Sequence, residues 1–257
     1  MNPNMKNVSI SIVTPALNEW SNIFEMSSSV VEVLRKYRDT SEWIIVSEPG
    51  VSHEILSSFR ELSAQFRLVE RPVSDTSFAM ALQTGINSIS GISDVIVTMD
   101  GDQSHNPLSI PELVDALNDD PKIDVAIASR YVLGGKTDNP PLLRIMSLIL
   151  NGMFRVTMGM KARDLSTNFK AFRSHDLRNI ELVSKNFEAV EELLKVVEIR
   201  KGRKPNLIEI PDTFYQRKHG ESKRKLGQFI GSYLVSLIVM SYRVKRRHQR
   251  ATSQSSR

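Results

Sequence analysis

The sequence contains no cysteine, which excludes disulfides and thiolate metal sites. A reducing compartment is compatible with that absence but is not demonstrated by it. No apolar run of signal-peptide type follows Met1, so secretion is not expected. There is no internal repeat and no long linker, which argues against repeat architectures. No basic groove interleaved with aromatic residues is evident, so nothing points to nucleic acid. Residues 226–242 form a charge-free stretch flanked by basic residues on both sides, at the lower limit of the roughly 17 to 25 residues that cross a bilayer. Gly227, Gln228, Gly231 and several serines weaken it further. The favoured reading is a helix lying in the interface or packed on the body, with Arg243, Lys245, Arg246 and Arg247 at the headgroups. A true span is the alternative.

What is present suits one sizeable α/β domain, or one domain with a small appendage. The chain has 257 residues, 40% hydrophobic and 25% charged, enough to bury a substantial core. The net charge of +5 is unevenly placed: residues 195–257 hold 16 Lys and Arg against 4 Asp and Glu. That is either a solvated basic tail or a patch attracted to anionic lipid or phosphorylated substrate.

Periodicity supplies the order of elements. Residues 8–14, 42–46, 67–70, 94–99, 123–128 and 206–210 read as strands, short and rich in Val, Ile and Leu. Residues 21–37, 53–66, 77–90, 110–117 and 188–199 carry helical spacing. Residues 142–158 are apolar but interrupted by Arg144, Asn151 and Arg155, which fits a helix against protein or a membrane surface. Strands alternating with helices predict a mainly parallel twisted sheet covered on both faces.

The most informative stretch is residues 96–107, IVTMDGDQSHNP. A buried strand ends in Asp100-Gly101-Asp102, and open α/β sheets bind ligands beyond the carboxyl ends of their strands. Two carboxylates one residue apart repel each other. A hard cation such as Mg²⁺ or Mn²⁺ resolves the repulsion and bridges to diphosphate oxygens. Gly101 permits close approach. The bland alternative for such a pair is an exposed turn. His105 reads as a ligand or base, or at least as readily as a hydrogen-bonded turn histidine.

The same stretch resembles the MDADLSHHP or MDADLQHPP segment of family 2 glycosyltransferases of the dolichol-phosphate mannosyltransferase type. Four further segments fall in that family's order. Residues 12–23 (IVTPALNEWSNI) resemble its opening strand and PxxNExxNI loop. Residues 128–135 (ASRYVLGG) resemble GSRYxxGG. Residues 164–173 (DLSTNFKAFR) resemble DxTSGFRxxR. Residues 216–223 (QRKHGESK) resemble RxxGESK. The resemblance implies a GT-A fold and transfer of a sugar from a nucleoside diphosphate to a polyprenyl phosphate. It places Pro15, Ala16 and Glu19 against the nucleotide, and Asp100 and Asp102 on metal and diphosphate. Arg130 would meet the transferring phosphates, and Asp164 would sit near the acceptor. Arg217 and Lys223 would close over phosphate from a mobile loop. It also implies a catalytic domain over residues 1–224, then an apolar helix and basic tail over 225–257. The protein would then sit peripherally on the cytoplasmic face of a membrane.

Two departures stand out. Where the family's second strand commonly ends in DDGSxDGT, this chain has Ser47-Glu48-Pro49-Gly50-Val51-Ser52. Glu48 stands in for one aspartate, while Ser47 carries no carboxylate. The family's LGxGxA run is replaced by Thr76-Ser77-Phe78-Ala79-Met80-Ala81. These changes admit a non-catalytic nucleotide-sugar-binding relative. Another alternative is transfer to a non-lipid acceptor such as a polysaccharide. Retention of Asp100, Asp102, Arg130, Asp164, Arg217 and Lys223 as a set favours an enzyme.

Overall fold

The computed structural model describes residues 5–216. Arg217, Lys223, the stretch 226–242 and the expected boundary at 224 lie outside the described residues.

The first strand, β1 (Ile10–Pro15), is buried along its whole length, as is β2 (Glu42–Ser47). Both are dominated by β-branched residues, and strands covered on two faces read as near-continuous apolar runs. Alternation splits β1 between two cores: Ile10 and Ile12 pack on one face of the sheet, Val13 on the other. The first face carries α1 (Trp20–Leu34) and α4 (Ile110–Asp119); the second carries α3 (Phe78–Asn87), α5 (Pro141–Met158) and α7 (Ala189–Lys201). Helix α3 lies very close to the sheet. A Cβ on its Gly85 would stand 2.4 Å from Val13 Cγ1 and 2.8 Å from Val46 Cγ2, so no side chain fits there.

Glu42 is the one charge within β2, and it is fully engaged. Its carboxylate accepts from Ser11 Oγ (3.0 Å), Ser90 Oγ (2.7 Å) and Arg67 Nη1 (2.5 Å). Those partners offset the cost of burying it.

With β3 (Phe66–Glu70), β4 (Val95–Thr98), β5 (Val125–Ser129), β7 (Lys170–Arg173) and β8 (Leu207–Pro211), the main sheet runs β3-β2-β1-β4-β7-β5-β8. All neighbours pair parallel except β7, which lies antiparallel between β4 and β5. A short parallel pair, β6 (Lys136–Thr137) with β9 (Thr213–Phe214), sits apart from it. The remaining helices are α2 (His53–Leu62) and α6 (Ser174–Leu177).

Every strand and helix read from periodicity is present, with shifted ends. The helix expected to reach residue 66 stops at Leu62, because Ser63 is extended (φ −168°, ψ 140°) and Phe66 already pairs with Trp43. The sequence reading missed β7. Its four residues, KAFR, are too few for a period and begin and end with a cation. Lys170 is nevertheless completely buried. An antiparallel strand starts where its parallel neighbours finish. The loop 164–169 is thereby delivered to the carboxyl ends of β4 and β5.

Helix α5 keeps an apolar face in the open. Leu142 is 62% exposed, Ile149 60% and Val156 84%. Among the described residues no helix is long and apolar enough to cross a membrane.

Candidate active site at the strand ends

The chain leaves β1 towards β2 and β3 on one side and resumes at β4 on the other. The gap between the carboxyl ends of β1 and β4 is therefore the topological switch point, where such sheets bind ligands. Pro15 closes β1, and Ala16 N–H donates to Val46 C=O at 2.8 Å. Asn18 turns the chain with a positive φ of 58°, and Glu19 follows as the N-cap of α1.

Across the gap, β4 runs into the acidic pair. A Cβ on Gly101 would lie 2.9 Å from Ile23 Cδ1, 3.1 Å from Thr14 Cγ2 and 3.3 Å from Glu19 Oε2. Glycine therefore lets the turn seat against the first loop and brings Glu19 beside the aspartates. Asp102 is buried, and its Oδ1 accepts from Ser104 N–H (3.0 Å) and Ser104 Oγ (2.5 Å). Asp100 is partly exposed. Its Oδ1 accepts from Asn168 Nδ2 at 2.9 Å, and its N–H donates to His105 Nδ1 at 3.2 Å. An accepting Nδ1 leaves the neutral ring's proton on Nε2. His105 is buried, stacked on Phe169 with centroids 5.0 Å apart, and edge-on to Phe214. Of its three readings, the structure displays the hydrogen-bonded turn residue.

Among the described residues no group of three or more His, Asp or Glu side chains is arranged to hold a metal. Two carboxylates at a glycine turn still suit a hard cation that takes its other oxygens from a bound diphosphate.

The second half of the site is an ion pair. Arg130, just past β5, donates from Nε to Asp164 Oδ2 at 2.7 Å and from Nη2 to Asp164 Oδ1 at 2.6 Å. Its own N–H adds a third bond to Oδ2 at 2.9 Å, and Ser166 Oγ accepts from Nη2 at 3.1 Å. Asp164 is fully buried. Burial works to lower the Arg130 pKa, but the bonds and charge of Asp164 outweigh it and raise the value. The guanidinium also lies 5.0 Å from the Tyr131 ring and 5.3 Å from Phe214.

Glu48 accepts from Arg71 Nη2 at 3.0 Å; Arg71 itself is buried. Three polar residues at this edge were missed in the sequence: Arg71, Asn168 and Lys170. Lys170 Nζ donates to Leu165 C=O at 2.9 Å and to Thr167 C=O, tying down the loop that carries Asp164. Burial lowers its pKa to about 8, against the opposing carboxylates of Glu191 and Asp164. A lysine within an apolar-flanked segment was the available signal.

Residues 11–180 match the family described as Glycosyl transferase family 2. The chain belongs to glycosyltransferase family 2. Among curated relatives, the dolichol-phosphate mannosyltransferase of Pyrococcus furiosus is 31% identical over 229 residues, covering 88% of this chain and 61% of that protein. The undecaprenyl-phosphate mannosyltransferase of Micrococcus luteus is 33% identical over 149 residues, covering 56% of this chain and 58% of that one. The chain thus spans about three fifths of the length of these two relatives. In three dimensions it resembles glucosyl-3-phosphoglycerate synthase of Mycobacterium tuberculosis, solved with Mn²⁺, UDP and glucosyl-3-phosphoglycerate. The TM-score is 0.65 at 20% identity, over 91% of this chain and 78% of that one. The fold is the GT-A arrangement of family 2 that the resemblance implied.

Proposed function

We propose that the protein transfers a hexosyl group from a nucleoside-diphosphate sugar to a polyprenyl phosphate, at the cytoplasmic face of a membrane. The observation that carries this reading is the convergence at one sheet edge of an acidic pair at the switch point and a buried Arg130–Asp164 pair. The names of the curated relatives favour a lipid-phosphate acceptor.

In this reading Pro15, Ala16, Glu19 and Glu48 face the nucleotide, and Asp100 and Asp102 hold Mg²⁺ or Mn²⁺. When bound, that cation neutralises charge on the departing diphosphate. An acceptor phosphate oxygen attacks the anomeric carbon, and the bond to the donor diphosphate breaks with its electron pair on the leaving oxygen. An anionic phosphate is already a competent nucleophile, so a strong base is not required. The protein supplies alignment and charge. Asp164 binds Arg130 through Nε and Nη2, which would leave Nη1 to meet the transferring phosphates, with Asp164 near the acceptor. Arg217 and Lys223 add cations from outside the described residues.

The membrane part rests on α5. Its exposed face offers Leu142, Ile145, Leu148 and Ile149, its charges are Arg144 and Arg155, and it contains no acidic residue. Apolar surface with basic residues and no carboxylates fits an anionic interface.

The test is transfer from radiolabelled GDP-mannose, UDP-glucose and UDP-N-acetylglucosamine to polyprenyl phosphate. Label entering the lipid phase supports the proposal and names the donor. Label found only in a polysaccharide or other soluble acceptor replaces the lipid reading. Donor binding without any transfer favours a non-catalytic binder, which the Ser47 departure would then explain.

A further inference from the structure

Asp100 has one oxygen already committed. Asn168 Nδ2 donates to Asp100 Oδ1 at 2.9 Å, from a residue that is only 4% exposed. Asn168 is itself fixed through the backbone: Thr98 Oγ1 donates to its C=O at 2.6 Å, and the next residue's C=O accepts from Ala128 N–H at 3.0 Å. The amide is therefore clamped between β4 and β5 before it meets the carboxylate. Its remaining Oδ1 is buried with no hydrogen-bond partner. An amide left half-satisfied in the interior is costly, so the orientation that serves Asp100 is maintained against an unmet acceptor. Asp100 is also held from behind, by His105 Nδ1 on its N–H.

The segment this stretch resembles carries glycine at the position of Asn168, which has no side chain to reach Asp100. Asn168 has no positive φ, so its backbone does not call for glycine. The amide is an addition at this site.

We propose that Asn168 is a positioning residue for the cation: it orients Asp100 so that one oxygen is held by the protein and the other is presented to a divalent metal and donor diphosphate. This rests on the reading of Asp100 as a metal ligand. With the amide in place the carboxylate is preset as a one-oxygen ligand. Without it, the carboxylate turns freely and must be ordered when the cation arrives.

The experiment measures Mn²⁺ binding to the full chain by electron paramagnetic resonance, in the presence of saturating UDP or GDP. The variants are Asn168→Gly and Asn168→Ala; both remove the donor and retain the backbone bonds. The expected result is a Mn²⁺ dissociation constant raised about three- to tenfold in both, the effect of losing one hydrogen bond to a charged group partly replaced by water. Nucleotide binding in EDTA should stay unchanged, which a merely structural role would not predict. Unchanged Mn²⁺ affinity in either folded variant overturns the proposal. If the wild-type chain binds no Mn²⁺ with either nucleotide, the metal reading of Asp100 falls first, and this inference with it.

Discussion

At the scale of single residues, the site is built from charges held by specific partners. Arg130 reaches Asp164 through two side-chain bonds, which lysine cannot reproduce. Arg130→Lys is expected to lower the transfer rate about 10- to 100-fold, the cost of one misplaced charge-assisted fork. Steady-state kinetics with a saturating donor check this; an unchanged rate would remove Arg130 from the chemistry. Lys170 gives a prediction in pH. Its folded pKa of about 8 lies below its ordinary value of 10.5. Between those values the unfolded chain binds more protons, so stability contributed by this group rises with pH through that window. Below pH 8 the full cost of burying the ammonium is present. Urea unfolding at pH 7.5, 9 and 10 should therefore show wild type gaining about 1–3 kcal/mol relative to Lys170→Met. Parallel curves would contradict the assignment.

At the scale of elements, legibility in the sequence followed burial. Strands β1, β2 and β4 are short, buried segments built around Val and Ile, and such segments announce themselves. Asp100 and Asp102 were visible as candidates because they directly follow one of those runs. Strand β7 was not visible: it is four residues long, and its position between β4 and β5 is a fact of topology rather than of local pattern. For the same reason the Arg130–Asp164 pair could not be read from the chain, where its members are 34 residues apart. Two predictions belong here. Gly85→Val would force α3 away from Val13 and Val46 and should destabilise the fold by about 2–3 kcal/mol, as overpacking does. Thermal melting checks it, and an unchanged midpoint would show that α3 moves without cost. Leu148→Glu with Ile149→Glu should reduce partition to anionic vesicles at least about fivefold, since it removes apolar contact and adds like charge. Nucleotide affinity should not change. Equal vesicle binding by the double variant would dismiss α5 as a membrane contact.

At the scale of the whole molecule, charge and architecture point the same way. The acidic pair lies at the switch point of a sheet whose antiparallel strand β7 brings Asn168 and Asp164 to the same edge. The cationic excess is concentrated in residues 195–257. On the proposed reading, the carboxylates would serve a metal–diphosphate and the basic segment a phosphate or anionic lipid, an arrangement suited to a charged donor and a charged acceptor. The claim on which the account depends is that Asp100 and Asp102 couple a divalent cation to the donor. The direct measurement is calorimetric titration of the full chain with UDP and with GDP, in Mn²⁺ and in EDTA, for wild type and Asp102→Asn. Wild type should bind one of the nucleotides at least about tenfold more tightly with Mn²⁺ than in EDTA, and Asp102→Asn should lose that difference while melting at a similar temperature. Equal affinity in Mn²⁺ and EDTA, or a variant that keeps the full metal effect, would contradict the account.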